Sequence, residues 1–78
     1  MNLGECPLRV KSQIVSIDVG SQYCLRLKEL GVRPGANFFC VNRAAFGGVV
    51  INISGTRIAV DRRSARNIEV LQLQGDPS

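Results

Sequence analysis

The strongest pattern in the chain is an alternation of large apolar residues with polar or small ones over residues 49–61. Val49, Ile51 and Ile53 alternate with Val50, Asn52 and Ser54; Ile58 and Val60 alternate with Arg57, Ala59 and Asp61. A period of two places such residues on one face of a strand, so two strands forming a hairpin are expected. A Gly55-Thr56 turn of type II′ sets Ile53 opposite Ile58 and Ile51 opposite Val60. A Ser54-Gly55 turn of type I′ shifts the register and keeps the same face apolar.

Upstream, residues 13–17 (Gln-Ile-Val-Ser-Ile) have the β-branched character of a first strand. Asp18 to Gly20 break that pattern, and Ser21 is the expected N-cap of a helix over residues 22–30. Tyr23, Leu27 and Leu30 fall at i, i+4 and i+7, which makes them the core face of that helix, with Cys24 beside them. Gly31 is the expected left-handed cap, and Arg33-Pro34-Gly35 suits a type II turn. Residues 36–42 form the next strand, with Phe38 and Cys40 on one face and Phe39 and Val41 on the other. Residues 44–48 are a glycine-rich loop. Residues 62–67 are short and polar enough for a single 3₁₀ turn, and residues 68–73 close the chain as a fifth strand. There Ile68 and Val70 face opposite to Leu71 and Leu73, so one pair points outward or the strand bulges.

Five short strands, one helix between the first and second, and tight turns predict a mainly β fold. The expected form is a small, partly open barrel over residues 1–73, with a polar tail at 74–78. At 78 residues the chain makes one small domain with a modest core. The start has neither a basic region nor an apolar stretch, and no apolar run approaches a membrane span, so a cytoplasmic protein without membrane insertion is expected.

Chemistry-bearing residues are sparse. The chain has no histidine, and its acids stand singly at positions 5, 18, 29, 61, 69 and 76. General base catalysis has no imidazole to use, a cysteine nucleophile lacks its partner, and no enzyme is predicted. Cys6, Cys24 and Cys40 form no C-x-x-C pair, so a zinc site is not expected; Cys24 and Cys40 suit buried structural thiols. Gly47-Gly48 lacks the surroundings of a phosphate loop and suits a turn. The net charge of +4 admits an acidic protein, acidic lipid or nucleic acid, and Arg62-Arg63-x-x-Arg66 is the densest basic cluster. One tyrosine and three phenylalanines leave little to stack bases on, which weighs against nucleic acid.

Taken in order, several segments resemble the FeoA-type accessory proteins of ferrous iron transport. Arg26-Leu27-Lys28-Glu29-Leu30-Gly31-Val32-Arg33-Pro34-Gly35 is similar to that family's R-L-x-x-L-G-x-x-P-G signature. Val41 to Gly48 resembles its V-x-R-x-A-P-L-G-G/D loop. Ile58 to Ala65, followed by Ile68-Glu69-Val70, resembles its I-A-L-R-R-x-E-A…I-x-V close, and Leu3 and Pro7 fall where the family opens with L-x-x-x-P. Arg9, Ala45, Phe46, Val49 and Asp61 depart from the residues usual there. The resemblance spans about residues 3–71 and implies an SH3-like barrel, related to the C-terminal domain of DtxR-type repressors. It implies an adaptor that works by contact beside the FeoB ferrous iron transporter, with no cofactor of its own. Ferrous iron favours imidazole and carboxylate ligands, which are absent or scattered here. Candidate contact residues are Arg26 and Arg33 at the helix end, Arg43 and Phe46 at the loop, and Leu71 and Leu73. Phe46 either caps the barrel or is exposed. A nucleic-acid-binding barrel and a self-associating module are the alternative readings.

Overall fold

The hairpin of β3 (Val49–Ile53) and β4 (Thr56–Val60) is built from the alternating residues of that segment. In the computed structural model, which describes residues 1–44 and 47–73, Val49, Ile51, Ile53, Ile58 and Val60 are all buried. Ile53 pairs with Thr56, Ile51 with Ile58 and Val49 with Val60. The turn is therefore Ser54-Gly55, the second of the two alternatives. Its φ angles of 52° and 84° are those of a type I′ turn, whose twist matches the strands it joins. The Asn52 carboxamide accepts from the Gly55 N–H at 3.1 Å and helps to hold Ser54 in a left-handed conformation that serine otherwise disfavours.

Three more strands complete one antiparallel sheet in the order β4-β3-β2-β1-β5, with β1 at Lys11–Ile17, β2 at Asn37–Arg43 and β5 at Ile68–Gln72. The first strand starts two residues before the expected position and the second shifts by one. Because β1 pairs with both β2 and β5, the sheet curls into an SH3-like barrel left open between β4 and β5.

Two bulges set the facing. One at Val15 interrupts the β1–β5 register between Ile14 and Ser16, so that Ile14 pairs with Val70 and Ile17 with Ile68. Strict alternation would send Ile17 outward; one extra residue brings it back toward the core. The other, at Val41, lies between the Cys40–Ile51 and Asn42–Val50 pairs. It places Arg43 opposite the inward-facing Val49, on the core side at the barrel's end.

Helix α1 (Ser21–Glu29) joins β1 to β2. Ser21 is its first helical residue and Gly20 its N-cap, with no side-chain cap bond, so the predicted cap lies one residue too late. The C-terminus follows the expected glycine cap. Gly31, at φ 99°, donates to Lys28 O at 3.0 Å, and Val32 donates to Leu27 O at 2.8 Å. This is a Schellman motif, with its characteristic apolar pair in the wholly buried Leu27 and Val32. The motif also corrects the helical-face reading: the chain leaves the helix at Leu30, which is 45% exposed, and Val32 takes the core position. Pro34 and Gly35 then form the predicted type II turn, with Gly35 at φ 93° and Ala36 N–H bonded to Arg33 O at 3.0 Å.

Residues 62–67 hold a turn of α-helix, α2 (Arg62–Arg66), in place of a 3₁₀ turn. A 3₁₀ turn does occur at Leu3–Glu5, closed by a capping box between Asn2 and Glu5. Leu3, its first residue, and Cys6, which follows it, are fully buried. The N-terminal segment thus belongs to the core, alongside Phe38, Cys40 and the inward residues of the sheet. Cys6 and Cys40 are buried, and burial raises the Cys40 thiol above its ordinary value; Cys24, expected inside, is half-buried.

Replacing Ser54 by Asn, which adopts positive φ more readily, is expected to stabilise the hairpin by about 0.5 kcal/mol. The change is measured as a rise of a few degrees in thermal midpoint for a domain of this size; a fall would contradict the type I′ assignment.

Candidate docking surfaces

The residues singled out in the sequence fall in separate regions. Leu71 lies on the outer face of β5, 41% exposed, and the N–H of Leu73 bonds to Lys11 O at 2.8 Å just beyond the strand. Leu71 pairs with Gln13 and Phe39 pairs with Lys11, so both apolar residues belong to the outer face across β1. Val15 and Phe39, each 43% exposed, add to this face. It is an interrupted apolar surface: Leu71 and Phe39 stand two strands apart, about 10 Å, with Gln13 and Lys11 between them. The outward orientation of Leu71, opposite to the buried Ile68 and Val70, is one of the two arrangements foreseen.

Arg26 lies on α1 with Gln22 and Tyr23, around a shallow hollow, and Arg33 is exposed in the turn after the helix. Tyr23 reaches α2. Burial, and then the nearby Asp61 carboxylate, push its phenol above the ordinary tyrosine value. Asp61 is the N-cap of α2 and accepts from the Ser64 N–H at 3.1 Å. Its bonds to the Ser64 side chain and backbone hold its carboxyl below the usual aspartate range. An acid at a position where the family resemblance favours arginine therefore has a local purpose: it starts α2.

Arg43 serves the fold directly. Its guanidinium donates to the backbone carbonyls of Gly4 and Cys6, spanning the barrel's end to hold the N-terminal segment. Phe46 lies outside the described residues, as does the tail at 74–78.

A further concavity involves residues outside the candidate contacts. Arg62, Arg63 and Arg66 of α2 line a groove of ≈ 750 Å³ with Asn2 and Asn67. A smaller hollow of ≈ 350 Å³ continues it past Arg62 and Arg66 to Arg43, Glu5 and Gly47. The only sequence signal was the R-R-x-x-R spacing, in which positions 62 and 66 share a helical face. Among the described residues, no group of three or more histidine, cysteine, aspartate or glutamate side chains could hold a metal ion. No helix among them is long and apolar enough to cross a membrane.

A curled five-stranded antiparallel sheet with a helix between its first two strands defines an SH3-like barrel protein. The chain belongs to the FeoA domain family, whose model matches residues 1–72. This is a family associated with ferrous iron transport and not a known enzyme family. The solution structure of FeoA protein from Chlorobium tepidum is similar with a TM-score of 0.89 and 27% identity, covering 99% of this chain and 74% of that one. FeoA from Stenotrophomonas maltophilia, solved in complex with zinc and described as a prokaryotic SH3 domain protein, is similar with a TM-score of 0.72 and 28% identity. That match covers 90% of this chain and 88% of that one. A search of curated proteins found no match.

Arg43→Ala removes two charge-assisted bonds to backbone and is expected to destabilise the fold by about 1–2 kcal/mol. The loss is read from denaturant unfolding; an unchanged midpoint would return Arg43 to the free surface. Asp61→Ala is expected to cost about 1 kcal/mol at neutral pH. Because the folded-state pKa of Asp61 is lowered, its contribution is present above about pH 4 and fades as pH falls through the folded value. Unfolding curves of the two proteins should therefore converge at low pH, and a constant gap would assign the effect to another cause.

Proposed function

We propose that the chain is an accessory protein of ferrous iron uptake that docks on the cytoplasmic side of a FeoB-type transporter and modulates it by contact. The observation that carries this reading is the outer sheet face, where Leu71, Phe39 and Val15 are each more than two-fifths exposed on adjacent strands. Large apolar residues held outward by strand register, with polar residues between them, suit a partner surface of the mixed kind usual in reversible protein–protein contacts. The S. maltophilia relative has been put forward as an activating factor for ferrous iron transport, which supports the same role here. The domain acts in this reading as one unit over residues 1–73, recruited to the inner face of the membrane by its partner.

In this reading the domain works by shape and charge; among the described residues no group of three or more histidine, cysteine, aspartate or glutamate side chains could hold a metal ion. Arg26 and Arg33, exposed at α1 and its following turn, are further contact candidates outside the apolar face.

Calorimetric titration with the cytoplasmic portion of the FeoB from the same source, with and without GTP, tests the proposal. Saturable binding is expected, weakened roughly tenfold or more by Leu71→Glu, which places a charge in the apolar face. Binding that Leu71→Glu leaves unchanged would move the contact off this face. The absence of binding in both nucleotide states at high protein concentration would overturn direct docking on that portion.

A further inference from the structure

Three parts of the chain that are distant in sequence meet around one strongly basic groove. Arg62, Arg63 and Arg66 come from α2, Arg43 from the end of β2, and Asn2 from the N-terminal segment. Among the described residues the single ion pair joins the Met1 amino group to Glu69, so none of these guanidiniums has a carboxylate partner. Arg43 is committed to backbone carbonyls, whereas the three arginines of α2 form no side-chain hydrogen bond among the described residues. Glu5 lines the adjoining hollow with its carboxylate accepting from the Asn2 N–H and pairs with none of the arginines, so the like charges of α2 repel one another and an anionic ligand relieves that repulsion.

The groove is also shaped in advance. A Cβ built on Gly47 would lie 2.7 Å from Arg62 Cδ, so the glycine, at φ 98°, lets the loop pass directly beneath the Arg62 stem. The stem therefore rests on backbone and extends its guanidinium from a supported base, which reduces the ordering that binding requires. Asn2 and Asn67 flank the arginines. Asn2 Oδ1 accepts from Glu5 N–H, and Asn67 Nδ2 donates to Arg63 O. One amide atom of each remains uncommitted among the described residues, a donor on Asn2 and an acceptor on Asn67.

We propose that this groove docks an extended acidic segment of a partner protein, with carboxylates received by Arg62 and Arg66 and reinforced by Arg63. The spacing supports a peptide. One helical turn separates Arg62 from Arg66, a rise of about 6 Å. Carboxylates on alternate residues of an extended chain recur every 6–7 Å or so, so successive acidic side chains match the two guanidiniums. The planar fork of each arginine suits a carboxylate in two-point contact. The uncommitted amide atoms of Asn2 and Asn67 complement the peptide C=O and N–H between those side chains. No aromatic side chain is present among the described residues lining the groove, so a nucleic acid finds phosphate contacts there but no stacking platform. This site is separate from the apolar face of β5, and the inference stands whether or not the partner is the transporter.

Fluorescence anisotropy with a short fluorescein-labelled peptide of alternating aspartate and serine tests it. A peptide with asparagine for aspartate and a short single-stranded oligonucleotide serve as competing probes. The aspartate peptide is expected to bind saturably at low salt and to release as ionic strength rises from about 0.01 M to about 1 M. Arg66→Gln and Arg62→Gln should each weaken it roughly fivefold, and the double variant should abolish binding. Arg33→Gln removes the same charge outside the groove and should leave affinity within about twofold. The double variant Arg62→Glu/Arg66→Glu, which makes the groove net negative beside Glu5, should reverse the preference toward a lysine–serine peptide, an outcome that loss of folding does not produce, and circular dichroism confirms that each variant remains folded. Equal losses in Arg33→Gln and Arg66→Gln would reduce the effect to net charge and overturn the site. So would equal binding of the asparagine peptide, tighter binding of the oligonucleotide, or no binding of the aspartate peptide. Since the probe contains no transporter sequence, its failure and the failure of FeoB docking are separate results. Leu71→Glu is expected to leave peptide binding intact.

Discussion

The Arg43 guanidinium, bound to the carbonyls of Gly4 and Cys6, closes the structure. A five-stranded sheet that curls without joining its edges leaves an open end, and one nine-residue helix covers little of it. The N-terminal segment fills the gap by burying Leu3 and Cys6 completely. Inserting that segment takes the Cys6 carbonyl partly out of water, which is unfavourable unless it gains a donor. Arg43 supplies that donor and a second one to the exposed Gly4 carbonyl. The Asn2–Glu5 capping box and the 2.8 Å bond from Val70 N–H to Met1 O hold the rest of the segment in place. Core, barrel end and arginine groove therefore depend on the same few contacts.

Arg43 reaches that position because of the bulge at Val41. In a regular strand it would share the outer face with Phe39, in solvent. One unpaired residue turns it to the side of Val49, above the core. The bulge at Val15 acts in the same sense on β1, returning Ile17 toward the core while Val15 stays outside, at 43% exposure. Two single-residue irregularities thus decide one structural clamp and one core contact. Such bulges commonly re-aim side chains where a sheet ends or bends.

The two surfaces differ in chemistry and in support. The outer face of β1, β2 and β5 carries apolar residues on rigid strands, with Lys11 and Gln13 between them, and offers contact area with modest electrostatic selectivity. The groove beside α2 carries concentrated positive charge, whose reach into solvent suits the capture and orientation of an acidic segment before close contact is made. In the proposed reading this FeoA-family domain, which has no metal-ligand cluster among its described residues, would engage its partners through such a pair of surfaces, the apolar face giving hold and the basic groove register. Asp61, which starts α2, and Tyr23, which packs against it from α1, fix the groove's position relative to the rest of the barrel.

Local chemistry by itself determined much of this protein. Alternation placed the hairpin and its buried face, Leu27-x-x-Leu30-Gly31-Val32 encoded a helix with a glycine cap, and Pro34-Gly35 encoded the turn into β2. These features depend on residues within a few positions of one another, so a pattern along the chain is enough to reveal them. The family signature extended that reading to the barrel as a whole. Only tertiary structure decided that Val32 and not Leu30 enters the core, that the segment around Leu3 and Cys6 is a plug, and that Arg43 holds it. It alone brought Asn2, Gly47 and α2 around one groove. Bulges shift register by one residue without an unambiguous local mark, and a groove built from residues 2, 43, 47 and 62–66 exists only where the barrel brings those segments together. The sequence wrote the elements; the long-range packing that satisfies buried backbone and gathers charge selected the surfaces.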